Sequence, residues 1–222
     1  KEFQQVVVQA FPTPKSENHS VNPYIKQITT NPQVENAELM FDGKKDTYFS
    51  IKSYPVTIEL ALSKIEEVRS IKLFPAEVPM NAYYEIQYLD FHNYWRPICR
   101  NKIDRQILEY RAGPMKFGAV SESFEAIKSK QFRIILTDGG PLLPWIKLTD
   151  NKALGCISEI ELSGKAIVSK FNEKQLGKMS PTPFVSWDTY MWPKSTEPEL
   201  KDLTVNETKV INITEKVDLN GV

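Results

Sequence analysis

The sequence has few cysteines and histidines and little glycine. Its two cysteines, Cys99 and Cys156, are too few for a disulfide framework. They do not suggest a closed zinc site either, because such a site needs four ligands and only His19 and His92 could complete it. A single disulfide between the two cysteines is left open.

The chain also lacks net charge and long apolar runs. Twenty-eight basic residues balance 28 acidic ones and the pI is about 6.9, so there is no net field to hold a polyanion, which argues against nucleic acid as a partner. The longest apolar stretches, 6–8 and 142–146, fall far short of the ~20 residues that cross a bilayer. The sequence therefore predicts no membrane span.

What the chain does have is a globular composition with a strand-like pattern. Its 222 residues are 41% hydrophobic, enough to bury roughly 70% of the unfolded chain's surface around one core. Apolar and polar residues alternate, as half-buried strands require, in Val56–Leu60, Ile71–Leu73, Tyr84–Tyr88, Phe132–Ile134 and Ile160–Leu162. Fifteen prolines indicate rigid loops between short strands. We predict an all-β fold, an antiparallel sandwich or barrel.

Composition shifts at both ends suggest three parts. A Pro-rich stretch at 12–18 is typical of a linker, and the alternating body closes near Gly164. We predict an N-terminal flank at 1–20, the β-sandwich at 21–165 and an extended C-terminal arm at 166–222. The abrupt start and stop indicate a piece of a longer protein. Four aromatic residues of the arm are expected to pack on something: Phe184, Trp187, Tyr190 and Trp192.

Five ordered blocks of the body carry a family resemblance. They are Phe41–Phe49, Val56–Leu60 followed by Val68–Phe74, Tyr84–Trp95, Phe124–Leu136 and Ile157–Leu162. In order and spacing they resemble the discoidin or coagulation factor 5/8 type C family, whose members are galactose-binding-like jelly-roll β-sandwiches. The resemblance implies that fold for this chain, and it implies that Phe49 and Trp95 lie in the core.

The two flanks carry a second resemblance. Val6–Pro14 and Ile211–Gly221 resemble segments that precede and follow an inserted sandwich in family 106 glycoside hydrolases, the α-L-rhamnosidase-like enzymes. This implies a domain inserted in a bacterial enzyme that is secreted, periplasmic or at the cell surface. The catalytic domain of the same parent chain would then be its partner.

The sequence itself gives no catalytic residues. A glycosidase needs two carboxylates held across the scissile bond, and no spacing here indicates such a pair. Metalloprotease, nucleophile-elbow and phosphate-loop motifs are also missing. The acidic residues that alternate with apolar ones on predicted strands are expected on solvated sheet faces: Glu59, Glu85, Glu159 and Glu161. We predict that this chain is not an enzyme.

The loop that begins at Asp42 is the most site-like motif. In the discoidin-like family the matching loop, with a Glu from the closing strand, often holds a structural Ca²⁺, and the resemblance nominates Asp42, Asp46, Thr47 and Glu159. The alternative is that Asp42 and Thr47 only fix the turn through side-chain to backbone hydrogen bonds. No other cofactor is indicated.

Sugar binding in such sandwiches uses loop aromatics beside polar groups, because ring faces stack on the C–H patches of a pyranose. Trp145, in the Pro141–Trp145 loop, is the first candidate, followed by Tyr94 and His92 in the turn at 90–94. The alternative for Trp145 is a loop residue packed on the core or on the catalytic domain.

Three functions are compatible with these patterns. The leading hypothesis is a non-catalytic accessory domain that packs on the catalytic domain and contacts plant or host glycan. The second is an autonomous, lectin-like carbohydrate-binding module. A protein-adhesion domain is third, because it leaves the flanks unexplained.

Overall fold

The computed structural model describes residues 7–12, 19–76, 78–106, 118–144, 146, 153–174 and 205–216. Trp145 and the four aromatic residues of the C-terminal arm lie outside the described residues. Among the described residues, no helix is both long enough and apolar enough to span a membrane.

Strands dominate the described chain, as predicted. They are β1 (Gln9–Ala10), β2 (Ile25–Asn31), β3 (Phe49–Ile51), β4 (Val56–Pro75), β5 (Met80–Leu89), β6 (Trp95–Arg105), β7 (Val120–Asp138), β8 (Gly155–Ser163) and β9 (Ile211–Asn212). Helical structure among the described residues is confined to α1 (Phe171–Lys174) and to 3₁₀ turns at Asn22–Tyr24, Ala37–Phe41, Glu207–Lys209 and Thr214–Lys216. Every strand pair is antiparallel.

Two long strands, β4 and β7, run through both layers of the sandwich. Residues 56–61 of β4 pair with 131–136 of β7, the register then shifts, and residues 70–73 pair with 120–123. One layer, the wide layer, consists of β2, the first part of β4, the second part of β7, β5 and β6. The other, the narrow layer, consists of the first part of β7, the second part of β4, β8 and β3. The register shifts are the bulges at which long strands bend.

The core lies between these layers and explains the alternating pattern. Ile58 and Leu60 from the first part of β4 belong to the same buried cluster as Ile71 and Leu73 from its second part. Phe132 of β7 joins them and is 1% exposed. The prediction of an all-β, antiparallel sandwich is therefore confirmed.

The two aromatic residues expected in the core have different outcomes. Phe49 is 2% exposed and belongs to the core cluster, as predicted. The placement of Trp95 was wrong, because Trp95 pairs with Leu89, two residues beyond Gln87 on the outward row of β5. Its ring lies 4.3 Å from the Arg133 guanidinium on the outer surface of the wide layer.

Both flanks make ordered contacts. In the two-stranded sheet, Gln9 of β1 pairs with Asn212 of β9, so the N-terminal and C-terminal flanks come together. Residues 165–174 follow the outside of β7, where Ser123 donates its N–H to Ser169 Oγ at 2.8 Å. Arg105, nearly buried, forms a 2.7 Å ion pair with Glu173 of α1. These contacts tie the segment after β8 to the sandwich.

The cysteines are free thiols, so no disulfide joins them. Cys156 is buried in the narrow layer and Cys99 is half-buried on β6. Burial raises the pKa of the Cys99 thiol to about 12, which keeps it protonated and unreactive at neutral pH.

Candidate functional site

The turn between β5 and β6, residues 90–94, is held by one carboxylate. Asp90 Oδ1 accepts the N–H groups of His92 and Tyr94, both at 2.9 Å, and Asp90 Oδ2 accepts from Arg96 Nε at 2.7 Å. The backbone N–H of Tyr94 and the Arg96 side chain hold the pKa of Asp90 below its usual range. Asn93, at φ 63°, takes the left-handed conformation that asparagine tolerates in turns. We call residues 90–94 the hairpin tip.

The hairpin tip presents two aromatic rings to solvent. Phe91 is 89% exposed and Tyr94 is 64% exposed. The His92 ring lies 3.9 Å from that of Phe91, centroid to centroid, and the Arg96 guanidinium lies 5.6 Å from the Tyr94 ring. Apolar ring faces therefore stand beside an imidazole and a guanidinium. This is the combination that stacks on a sugar ring while binding its hydroxyls.

The loop before Trp145 is held in place by the side chains of Asn81 and Gln106. Asn81 Nδ2 donates to the carbonyl oxygens of Gly139, Gly140 and Pro141 at 3.1–3.3 Å. The backbone N–H of Leu143 donates to Gln106 Oε1 at 2.9 Å. Trp145 itself, the first sequence-predicted sugar contact, lies outside the described residues.

The Asp42 loop brings together three of the four residues nominated for calcium. Asp42 accepts hydrogen bonds from the Thr47 hydroxyl at 2.7 Å and from the Lys44 N–H at 2.8 Å. These bonds, the one from Thr47 first, lower the pKa of the Asp42 carboxyl. Glu159 Oε2, on β8, accepts the N–H of Gly43 at 3.0 Å. Asp46 is exposed on the same loop. Within the described part of the chain, no three His, Cys, Asp or Glu side chains form a group that could hold a metal ion.

Glu159 is buried rather than solvated, which corrects the expectation drawn from its alternation along the strand. It is 4% exposed because the Asp42 loop and Asn22 cover it. Desolvation by burial, with smaller contributions from the nearby Asp42 and Glu161 carboxylates, raises its pKa to about 7.

Glu159 and Asp42 also border a groove of about 670 Å³ on the outside of the narrow layer. Its floor is formed by Lys72 of β4 and Glu161 of β8, whose side chains make a 3.2 Å ion pair. The groove lies away from the hairpin tip, because the tip belongs to the wide layer. The structure thus separates the Asp42 loop from the predicted sugar-contacting turn.

Sequence reasoning missed several residues of these two sites. Phe91 lies in the predicted turn at 90–94 but was not nominated as a sugar contact, and the structure shows that it is 89% exposed. The groove depends on Asn22, Lys72 and Glu161, which are far apart along the chain. Strand alternation indicated that Lys72 and Glu161 face outward, but no local pattern could show that they are paired.

The solved structures that are similar to this chain have low sequence identity to it. No protein-family model and no curated protein matches it. One similar structure is a family 32 carbohydrate-binding module from Clostridium perfringens, CpGH89CBM32-5, in complex with GalNAc-β-1,3-galactose. It has 16% identity and a TM-score of 0.47, with 65% of this chain and 99% of that chain covered.

Two further similar structures are also named as binding modules. The family 32 module of Clostridium perfringens NanJ, in complex with galactose, has 13% identity and a TM-score of 0.46, covering 65% of this chain and 97% of that chain. The chitosan-binding module 1 from the chitosanase/glucanase of Paenibacillus sp. IK-5 has 16% identity and a TM-score of 0.43, covering 66% and 100%. With TM-scores below 0.5, nothing about this chain's ligand follows from these likenesses.

Proposed function

We propose that this chain is a non-catalytic carbohydrate-binding β-sandwich and that the hairpin tip is its glycan contact. The observation that carries the proposal is the exposure of two rings, Phe91 and Tyr94, on a turn whose backbone is fixed by Asp90. Exposed apolar groups that cluster, rather than lie singly, mark binding surfaces. A pyranose ring offers the matching C–H face.

The turn geometry makes the contact preorganised. Because Asp90 holds the N–H groups of both His92 and Tyr94, little backbone entropy is lost when a sugar binds. His92 and Arg96 supply polar groups beside the rings, so hydroxyls of the stacked sugar find partners. Trp145 is retained as a second contact, because the loop that leads to it is anchored by Asn81.

The finer proposal is that the domain is an accessory part of a secreted, periplasmic or cell-surface glycoside hydrolase resembling family 106, packed on the catalytic domain of the same parent chain. Two observations support it. The flanks that resemble enzyme sequence pair with each other through β1 and β9. Val7, Phe11 and Ile211 on or beside that ribbon are 52–60% exposed, which leaves an apolar surface for a further domain to cover.

We also propose that the Asp42 loop takes a structural Ca²⁺, with Asp42, Asp46, Thr47 and Glu159 as the residues that would hold it. The oxygen-rich side chains suit a hard cation. Desolvation is the main cause of the raised pKa of Glu159, and repulsion from the Asp42 carboxylate adds a smaller contribution that a cation would relieve. The competing account is that the hydrogen bonds to Asp42 only fix the turn.

A glycan-array screen of the chain, with the Tyr94→Ala variant alongside, tests the proposed function. We expect selective binding to plant or host glycans and a loss of about 10-fold or more in the variant. Tyr88→Phe, a hydroxyl change on the same strand pair below the tip, is the matched control and should bind as the wild type does. If no glycan on the array binds, the remaining function is a domain that packs on the catalytic domain. Hydrolysis of an aryl rhamnoside would overturn the non-catalytic assignment.

A further inference from the structure

The groove on the narrow layer has the size and rigidity of a ligand site. Its volume of about 670 Å³ falls within the ~300–1,000 Å³ typical of small-molecule sites. The second part of β4 and β8 form its floor. The segment at 19–23 and the Asp42 loop flank it together with residues 163–167.

The rim of the groove is fixed by hydrogen bonds to β8. The backbone N–H of Val21 donates to Leu162 O at 2.9 Å, and that of Gly164 donates to His19 O at 3.0 Å. Asn22 both accepts from Leu162 N–H at 2.9 Å and donates to Ile160 O at 2.6 Å. A rim held in this way does not have to be ordered when a ligand binds, which favours affinity.

The charged side chains of the groove are of both signs. Three are basic and three are acidic: Lys45, Lys72, Lys165, Asp42, Glu159 and Glu161. A charged ligand large enough to fill the groove would therefore meet side chains of its own sign as well as of the opposite sign. Ammonium groups donate hydrogen bonds and carboxylates accept them. This lining therefore complements an uncharged ligand whose groups both donate and accept hydrogen bonds.

The groove also offers apolar surface. Pro23, Phe41 and Ile167 border it beside the charged residues. Hydroxyl groups on an apolar ring skeleton are the chemistry of an uncharged sugar.

We infer that the groove is a second binding site, for an uncharged oligosaccharide, separate from the hairpin tip. The inference goes beyond the proposed function, because the groove residues lie on the narrow layer and the tip belongs to the wide layer. It does not require the tip to bind sugar, so each site can fail while the other stands.

Amide NMR of the full chain tests this inference with defined probes. The neutral probes are galactobiose, cellotriose, mannotriose and xylotriose, and the charged probes are trigalacturonate and the glucosamine trimer. We expect one neutral probe to shift the amides of Gly43, which lines the groove, and of Gly164, which lies between the lining residues Ser163 and Lys165. The charged probes should shift them less at the same concentration.

Paired variants separate the groove from the tip. Lys72→Met with Glu161→Gln removes the half-exposed ion pair on the floor and should weaken the groove response about 10-fold, while Tyr94→Ala should leave it unchanged. An unchanged melting temperature shows that the double variant is folded. The inference is wrong if no neutral probe at millimolar concentration shifts Gly43 and Gly164, if Tyr94→Ala abolishes the shift, or if a charged probe binds more tightly.

Discussion

At the residue scale, Glu159 is the group whose environment departs most from what its position on a strand suggests. It is 4% exposed and its carboxylate accepts the Gly43 N–H, yet it also borders the groove and the Asp42 carboxylate. Desolvation therefore outweighs the hydrogen bond and raises its pKa to about 7.

This makes the stability of the fold depend on pH. The folded pKa of about 7 lies above the ordinary value of 4.5, so the stabilising effect of the bound proton is complete below about pH 4.5 and is lost as pH rises through 7. Relative to Glu159→Gln, the wild type should lose about 1–2 kcal/mol between about pH 5 and pH 8. This change in stability is smaller than the full pKa shift of Glu159 would give, because solvent in the groove screens the carboxylate.

Urea unfolding of both proteins across that pH range measures the difference. Glu125→Gln, an exposed carboxylate on β7 that does not contribute to the pKa of Glu159, is the control and should follow the wild type. If the free energy of unfolding changes with pH in the same way for the wild type and Glu159→Gln, Glu159 titrates normally.

Calcium and protons should compete at the same loop. A cation needs the ionised Glu159 carboxylate, so its stabilising effect should be larger at about pH 8 than at about pH 5. At 100 times its Kd, calcium would add about 2.7 kcal/mol, and EDTA would remove it. Thermal melts with calcium, with EDTA and with the Asp42→Asn variant check this expectation. A melting temperature indifferent to calcium at both pH values eliminates the metal.

At the element scale, the β5–β6 hairpin depends on a side chain in its turn rather than on glycine. Asp90 accepts two backbone N–H groups and the Arg96 side chain, so its replacement removes three hydrogen bonds at once. Asp90→Ala should lower the melting temperature by about 2–4 °C and weaken glycan binding, because Tyr94 loses its fixed position.

Asp90→Asn is the matched variant for that prediction. Its side-chain carbonyl still accepts the two backbone N–H groups, so glycan binding should be mostly retained while the ion pair with Arg96 is lost. Calorimetric melts and glycan titrations of both variants provide the comparison. Equal binding by Asp90→Ala and the wild type would show that the turn does not position the rings.

The elements also show how far the sequence could be interpreted alone. Alternation at Val56–Leu60 and Ile71–Leu73 indicated two strands, and both lie in the single strand β4. A period of two reports which residues share a face, but it does not report that a strand bends from one layer into the other. It is equally silent on which face is inward. Trp95 was placed in the core by the family resemblance, which does not hold at this position because Trp95 pairs with Leu89 on the outward row.

At the scale of the whole molecule, the fold could be predicted from the sequence, but only some residues of the two candidate sites could. The core follows from the hydrophobic pattern, and the turn with His92 and Tyr94 was found from its sequence. Phe91 and the groove were not found, because exposure at a hairpin tip and a cavity between Asn22, Lys72 and Glu161 arise only from packing. The pairing of β1 with β9 is likewise a long-range event that joins the two flanks.

The measurement that tests the central claim most directly is titration calorimetry of the strongest glycan-array hit against four proteins. They are the wild type, Phe91→Ala, Tyr94→Ala and Trp145→Ala. A carbohydrate-binding module that uses the hairpin tip predicts at least about a 10-fold loss of affinity in Phe91→Ala and Tyr94→Ala, with melting temperatures unchanged. Undiminished binding by both tip variants would contradict the account, and a loss confined to Trp145→Ala would move the glycan site to the loop anchored by Asn81.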